Sequence, residues 1–391
     1  MPEVVIVGAG LVGCLTAIGL ADAGIGCTIL DEGTGDRSAS HTSAGGIYLQ
    51  LQPVVAAPER VRQHARKLAP LVRATLPAWL RLAARLPAIG LRRTGGLIVG
   101  LDEADLPLIA SKSAMEGALG LESEMLSGRD IRALSPDFSR EIPGGCYVPN
   151  EGHCEPATLM RTVRDELDRL GVRVRARRSV DRFEQRPDGV RLRLRGGEWI
   201  DAQRAVLATG GFTGDMLDRL GIRHGIRAFP IQMYATAPTP IRVPALVRAF
   251  GRRLSIKQLD TGEVWVGGGW DAAGYDRRSG RTSISSVNEQ HNRATASAVV
   301  PGLASLAVDR RWGGRVAWTH DGLPVIGHCP CAPDVLLACG GNGFSLAPLY
   351  AELLTSLIPG RLPALDLADF DAERFANACP DAAEAVEIAP D

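Results

Sequence analysis

The chain has 391 residues, 45% of them hydrophobic, and its 44 Lys and Arg balance its 44 Asp and Glu. This length accommodates two domains with substantial cores, and zero net charge with scattered arginines argues against a nucleic-acid partner. The longest apolar stretches are too short to span a bilayer and no signal peptide precedes the first strand, so a cytoplasmic protein is expected.

Val4-Val5-Ile6-Val7 reads as a short buried parallel strand that runs into Gly8-Ala9-Gly10-Leu11-Val12-Gly13. Gly8 permits the tight turn, Gly10 lets backbone approach a pyrophosphate, and Gly13 lets a helix over Leu11 to Ala23 pack closely. The helix N-terminus offers free N–H groups and a positive dipole end to phosphates. Cys27 to Leu30 forms the second strand, and Asp31 at its end stands where a carboxylate accepts ribose hydroxyls, roughly 20 residues on. Together these features predict a diphosphate-bearing adenine cofactor.

The loop from Arg37 through Ser43-Ala44-Gly45-Gly46 is rich in small residues and can lie flat against a large planar ring. A nicotinamide enzyme would continue into a regular helix and third strand, so a flavin is the better reading. Apolar spacing predicts a helix over 58–87 and a strand over 92–100. Further helix is expected from Ala157 to Leu170, followed by strands at 172–174, 190–194, 205–211, 231–236 and 264–268. Strand Val335 to Ala338 then enters a second glycine-rich turn, Gly340-Gly341-Asn342-Gly343-Phe344-Ser345-Leu346, before a helix from Ala347 to Ile358. This turn aims a second helix N-terminus at something electron-rich.

The eight cysteines lie mostly in apolar segments and read as reduced thiols. Cys329, Cys331 and Cys339 are the one group with metal-like spacing. They lack a paired fourth ligand, so structural thiols are preferred and no metal is expected.

The order of motifs resembles the D-amino-acid oxidase, glycine oxidase and sarcosine oxidase superfamily of FAD-dependent amine oxidoreductases. It also resembles the flavin subunits of hydroxyproline, opine and proline dehydrogenases and of hydrogen cyanide synthase. The motifs that carry the resemblance are the first glycine motif, Ser43–Gly46, Arg93-Thr94-Gly95-Gly96-Leu97 and Tyr147 to His153. Thr209-Gly210-Gly211, Asp321 to Gly327 and the closing glycine turn complete the set. The resemblance covers about residues 3–360. It implies an α/β, two-domain FAD-binding (Rossmann-like) fold with a mixed, largely antiparallel substrate-domain sheet. The FAD-binding domain is expected from 1–90, 145–212 and 318–378, the substrate domain from 91–144 and 213–317, and a C-terminal tail from 379–391. Glu32, Val180, Thr209 and Gly210 join both glycine motifs as expected cofactor contacts.

The chemistry implied is oxidation of a C–N bond of an amino acid, imino acid or secondary amine, by hydride transfer to flavin N5. No dedicated base is compulsory. Where glycine oxidase holds the substrate carboxylate with an arginine this chain has Gly341, and where monomeric sarcosine oxidase uses a lysine it has Ser345, so carboxylate binding is lost or moved. Arg315, Tyr48 and Tyr234 are the substrate-pocket candidates, with Gln50, Gln232 and Trp270 as further wall residues. Arg315 reads more readily as an ion pair at the domain junction. His41 is a weak candidate for covalent flavin attachment. His153 is expected to hydrogen-bond at the junction, and His320 to cap a turn. Two classes stay open: the catalytic flavin subunit of a heteromeric dehydrogenase with electron-transfer partner subunits, and a self-contained oxidase that makes hydrogen peroxide.

Overall fold

A computed structural model describes residues 3–33, 38–51, 54–55, 58–277, 279–330, 332–375 and 387–388. Its first layer is a six-stranded sheet. Five parallel strands lie side by side in the order Arg173–Ala176, Cys27–Asp31, Val4–Val7, Arg204–Leu207 and Ala332–Cys339. Val325–Cys329 pairs antiparallel at the Ala332–Cys339 edge. The strand order reverses between Val4–Val7 and Arg204–Leu207, and in open sheets of this kind ligands bind in the crevice beyond the carboxyl ends at such a reversal.

The two-residue period of a strand divides the apolar residues between the two faces. Val4, Ile6, Ile29, Val206 and Leu336 pack under the helices Leu11–Asp22, Pro156–Arg169 and Ala347–Leu357. Trp79, from the long helix Pro58–Arg85, is buried in the same core. Val5, Val7, Ala205, Leu207 and Val335 instead pack against an antiparallel meander of Val180–Arg186, Gly189–Leu194 and Trp199–Ala202. Glu155 starts the helix Pro156–Arg169 by accepting the N–H groups of Ala157 and Thr158 at 3.1 and 2.8 Å, which satisfies donors the helix itself cannot.

The second layer is an eight-stranded sheet with the order Val308–Thr319, Ile226–Thr236, Val264–Gly267, Ser255–Gln258, Leu246–Ala249, Gly96–Gly100, Gly144–Val148 and Glu124–Ser127. Every neighbouring pair is antiparallel except Leu246–Ala249 with Gly96–Gly100. Gly144–Val148 belongs to this sheet, although the boundary expected at 145 assigned most of it to the cofactor domain. One face buries Val247, Ile256, Val264 and Val266 against residues of the helix Ser286–Val299.

Strand ends differ from expectation in both directions. The strand expected at 92–100 begins at Gly96. The strand expected at 231–236 runs from Ile226, because eleven register pairs with Val308–Thr319 extend it through Pro230. Cys331 and most of the expected tail lie outside the described residues. Within that tail, Glu387–Ile388 pairs with Val54–Val55.

Candidate active site

At the reversal point the first glycine motif closes on the neighbouring strand. Gly8 has φ +107°, and a Cβ there would stand 2.5 Å from the Ala208 carbonyl oxygen. A Cβ at Gly13 would stand 2.0 Å from the Gly8 carbonyl oxygen. Both positions therefore exclude a side chain through contacts inside the protein. Asp31 ties the motif to the second strand. Its Oδ2 accepts the Ala9 N–H at 2.8 Å and its Oδ1 accepts the Gly33 N–H at 2.7 Å. Each oxygen keeps a further lone pair for a ligand hydroxyl. Ser40 Oγ, in the short helix Ala39–Thr42, accepts the Leu11 N–H at 2.8 Å and so caps the first helix from a distant segment. Ser40 falls in the small-residue run read from the sequence, but a cap on a helix 29 positions away leaves no local signal.

The second glycine turn meets the small-residue loop from the other side. Ser345, 2% exposed, fastens them. Its hydroxyl accepts the Tyr48 N–H at 3.1 Å and donates to the Gly46 carbonyl at 3.2 Å. Trp79 Nε1 donates to the Ser345 carbonyl at 2.7 Å, and the Tyr350 hydroxyl donates to the Gly340 carbonyl at 2.9 Å. The ring of Tyr48 folds over Gly46, where a Cβ would come within 2.6 Å of it.

Both glycine motifs border one cavity of about 520 Å³. Of the expected cofactor contacts, Gly8, Gly10, Leu11, Val12, Asp31, Glu32, Ser43, Ala44, Gly46 and Val180 lie on its wall. So do Thr209, Gly210, Gly341, Asn342, Gly343, Phe344 and Ser345. Ala9, Gly13, Gly45 and Leu346 are set behind the wall and serve its shape. A Cβ at Gly45, for example, would strike the Cys154 carbonyl at 2.1 Å.

The three substrate-pocket candidates separate. Tyr48 is on the wall, with its hydroxyl 2.6 Å from Ser255 Oγ and its ring 4.8 Å below the Arg248 guanidinium. Arg315 also reaches the wall, but its guanidinium is paired with Asp215, which Arg277 bonds as well at 2.5 Å. Burial pushes the Asp215 carboxyl up, and the bonds from Arg315 and Arg277 more than offset it, leaving it below the usual carboxylate range. Tyr234 corrects the expectation. It is 5% exposed and packs in the core with Val264, Val266 and Val299, away from the cavity. Phe229, Ile231, Gln232 and Met233 of the same strand line the cavity instead.

Gln232 lies on the wall with its amide bonded to the Ser285 backbone. Gln50 and Trp270 do not, being bonded to Cys146 and to the Arg253 carbonyl. His153 is buried in the junction, which pulls its pKa down to about 3, helped by Lys257 and Arg92. His41 Nδ1 lies 2.9 Å from Ser38 Oγ, and His320 Nε2 accepts from Arg227 at 3.2 Å. Cys14, Cys27, Cys146, Cys154 and Cys339 are free thiols, and no metal-binding cluster occurs among the described residues. Arg248, Arg253, Ser255 and Trp318 are wall residues that were not foreseen. Arg248 carried a usable signal, a lone arginine inside the apolar run Ala245-Leu246-Val247-Arg248-Ala249.

The wall fits a large, flat, phosphate-bearing group. Gly10 has φ −73° and would place a Cβ no closer than 3.2 Å to anything, its neighbour being a serine hydroxyl. A Cβ at Gly343 would meet only the Gly340 carbonyl oxygen, at 3.8 Å. Neither position has a left-handed φ, a Cβ at Gly343 would make only ordinary contact, and at Gly10 the Ser40 hydroxyl alone would have to give by a few tenths of an ångström. Bare backbone at both ends of one cavity is what a dinucleotide stretched between them requires. Residues 3–357 match the model of the FAD dependent oxidoreductase family DAO, and the chain belongs to that family. It is an FAD-dependent oxidoreductase.

The chain is 25% identical over 385 residues to a subunit of the opine oxidase of Rhizobium meliloti, covering 95% of this chain and 97% of that one. It is 27% identical over 387 residues to a glycine oxidase of Pseudomonas putida, covering 95% and 98%. The crystal structure of glycine oxidase from Geobacillus kaustophilus superposes with a TM-score of 0.84 at 22% identity, covering 95% of this chain and 98% of that one. No helix among the described residues is long and apolar enough to cross a membrane.

Proposed function

We propose that this chain oxidises the C–N bond of an amino acid, imino acid or secondary amine, as the catalytic flavin subunit of a heteromeric dehydrogenase. The observation that carries the oxidoreductase chemistry is the single cavity bounded by bare backbone at Gly10 and at Gly343. The likeness to one subunit of an opine oxidase along nearly the whole of both chains supports the subunit role and partner subunits that take the electrons. When bound, FAD supplies a two-electron acceptor.

The chain's own contribution is positional. Asp31 and the first helix N-terminus hold the nucleotide half. Ser345 locks the second glycine turn to the Ser43–Tyr48 segment, so the wall around the ring is set before substrate enters. The helix Ala347–Leu357 begins just after that turn, and its positive end favours negative charge on the ring. Arg248 and Arg253 on the same wall disfavour a protonated amine, and the neutral amine is the form that can release electrons.

The similar match to glycine oxidases favours a second reading, a self-contained oxidase that produces hydrogen peroxide. One experiment separates the two. The FAD-loaded chain alone is mixed anaerobically with a panel of amines and D- and L-amino and imino acids, and flavin bleaching is recorded. The best substrate is then turned over in air and with a redox dye. A dehydrogenase subunit turns over with dye and makes little peroxide. Rapid peroxide formation would refute the subunit role, and a flavin bleached by no amine or amino acid would refute the substrate class.

A further inference from the structure

Beside the second glycine turn the cavity wall is built by Tyr48, Arg248, Arg253 and Ser255. Two arginines line this part of the cavity, and their carboxylate partners do not. Arg248 bonds Glu151 at 3.0 and 3.3 Å, and Arg253 bonds Asp271 at 3.0 Å, yet neither acid belongs to the wall. The acidic side chains that do reach the cavity are elsewhere: Asp31 and Glu32 at the nucleotide end, and Asp215 in its pair with Arg315. Arginines on the wall with their acids off it bias this side of the cavity toward positive potential.

The arrangement around Arg248 is rigid. Arg248 is 6% exposed and Glu151 is fully buried. Glu151 also accepts the Leu49 N–H at 2.8 Å, which anchors the segment carrying Tyr48. A Cβ at Gly96 would fall 1.8 Å from a Glu151 oxygen, so the neighbouring strand is a glycine where the carboxylate must sit. The Tyr48 ring supports the guanidinium face from below at 4.8 Å, and the Tyr48 and Ser255 hydroxyls, 2.6 Å apart, stand beside it. A buried arginine held by a buried glutamate and an aromatic face loses little entropy when it binds a planar anion.

We propose that this wall is a carboxylate subsite with Arg248 as its principal anchor, so that the substrate is an amino or imino acid and a simple amine is a poor one. The assignment rests on the amine-oxidising reading above. It places the carboxylate anchor on the strand Leu246–Ala249, distant in sequence from Gly341 and Ser345.

The test uses the full chain loaded with FAD. Benzoate and neutral benzamide are titrated anaerobically and followed by the absorbance of the bound flavin. Flavin reduction is then compared for pairs that differ by a carboxylate, such as proline with pyrrolidine and N-methylglycine with dimethylamine. Benzoate should bind at least about tenfold more tightly than benzamide, as expected for a charge-assisted bond. Arg248→Lys should weaken benzoate and raise KM for the acid by about 10- to 100-fold, with a smaller effect on kcat, because a lysine cannot replace the fork.

Arg248→Met leaves Glu151 stranded and is prone to misfold. Arg248→Met with Glu151→Gln removes both buried charges and should lose the preference for benzoate over benzamide. Equal binding of the two probes, or an unchanged KM in Arg248→Lys, would overturn the subsite while leaving amine oxidation standing. No bleaching by either member of any pair would overturn the amine-oxidising reading and the substrate class with it.

Discussion

Gly343→Ala separates a cofactor wall from a structural turn, because its two consequences have opposite signs. In the flavin-free protein the new methyl meets one atom within 4 Å, the Gly340 carbonyl oxygen at 3.8 Å, which is ordinary contact. Gly343 has no left-handed φ to forfeit. Replacing glycine at such a site restricts the unfolded chain and stabilises the fold by about 0.4–1 kcal/mol. With FAD present the same methyl intrudes on the occupied cavity, and overpacking costs about 1–3 kcal/mol. At about 1.4 kcal/mol per factor of ten, FAD affinity should fall roughly 5- to 150-fold. Urea unfolding of the flavin-free variant should therefore show an unchanged or raised midpoint. A fluorescence titration with FAD should show the weakened binding, and the stabilisation conferred by saturating FAD should shrink. Gly13→Ala is the control. Its methyl would overlap the Gly8 carbonyl at 2.0 Å, so it should lower stability with and without FAD. Wild-type FAD affinity in a folded Gly343→Ala protein would refute the placement of the cofactor against this turn.

Ser345→Ala strands the Tyr48 N–H and the Gly46 carbonyl in a buried place and should cost about 1–3 kcal/mol. This is read as a lower urea midpoint at unchanged slope, and an unchanged midpoint would show that the two loops are held without it. Lys257 is 2% exposed, lies 4.4 Å over the Trp265 ring and donates to the Cys154 carbonyl at 3.2 Å. Burial pulls its pKa from 10.5 down to about 8. Its folded pKa lies below the unfolded value, so between those limits the unfolded chain holds the extra proton and stability rises with pH. At about 1.4 kcal/mol per pKa unit the charged lysine costs about 3 kcal/mol below pH 8. Lys257→Met should therefore be the more stable protein at pH 7, and its advantage should fade toward pH 10.5. Unfolding curves for the two proteins across this range check the sign, and a constant difference would exclude titration of Lys257.

The nucleotide end was legible in the sequence because its determinants are local. A strand, a glycine turn, a helix and an acid occupy residues 4–31, and each acts on neighbours a few positions away. Ser43–Gly46 and Gly340–Leu346 were legible for the same reason, as short runs rich in glycine. The cavity wall around Tyr48 and Arg248 is non-local. Arg248 reaches Glu151 across 97 positions, and Tyr48 reaches Ser255 across 207. Tyr234 shows the limit most directly, since alternation along a strand says that Tyr234 and Met233 face opposite ways but leaves open which one meets the cavity. That depended on the pairing of Ile226–Thr236 with Val308–Thr319 and Val264–Gly267 and on which face the helix Ser286–Val299 covers. Likewise Arg315 had the residue type of an anchor, and only the tertiary structure set Asp215 against it. Local chemistry thus determined the cofactor, and the tertiary structure decided which charged residues line the cavity, because burial and pairing are properties of contacts between segments far apart in the chain.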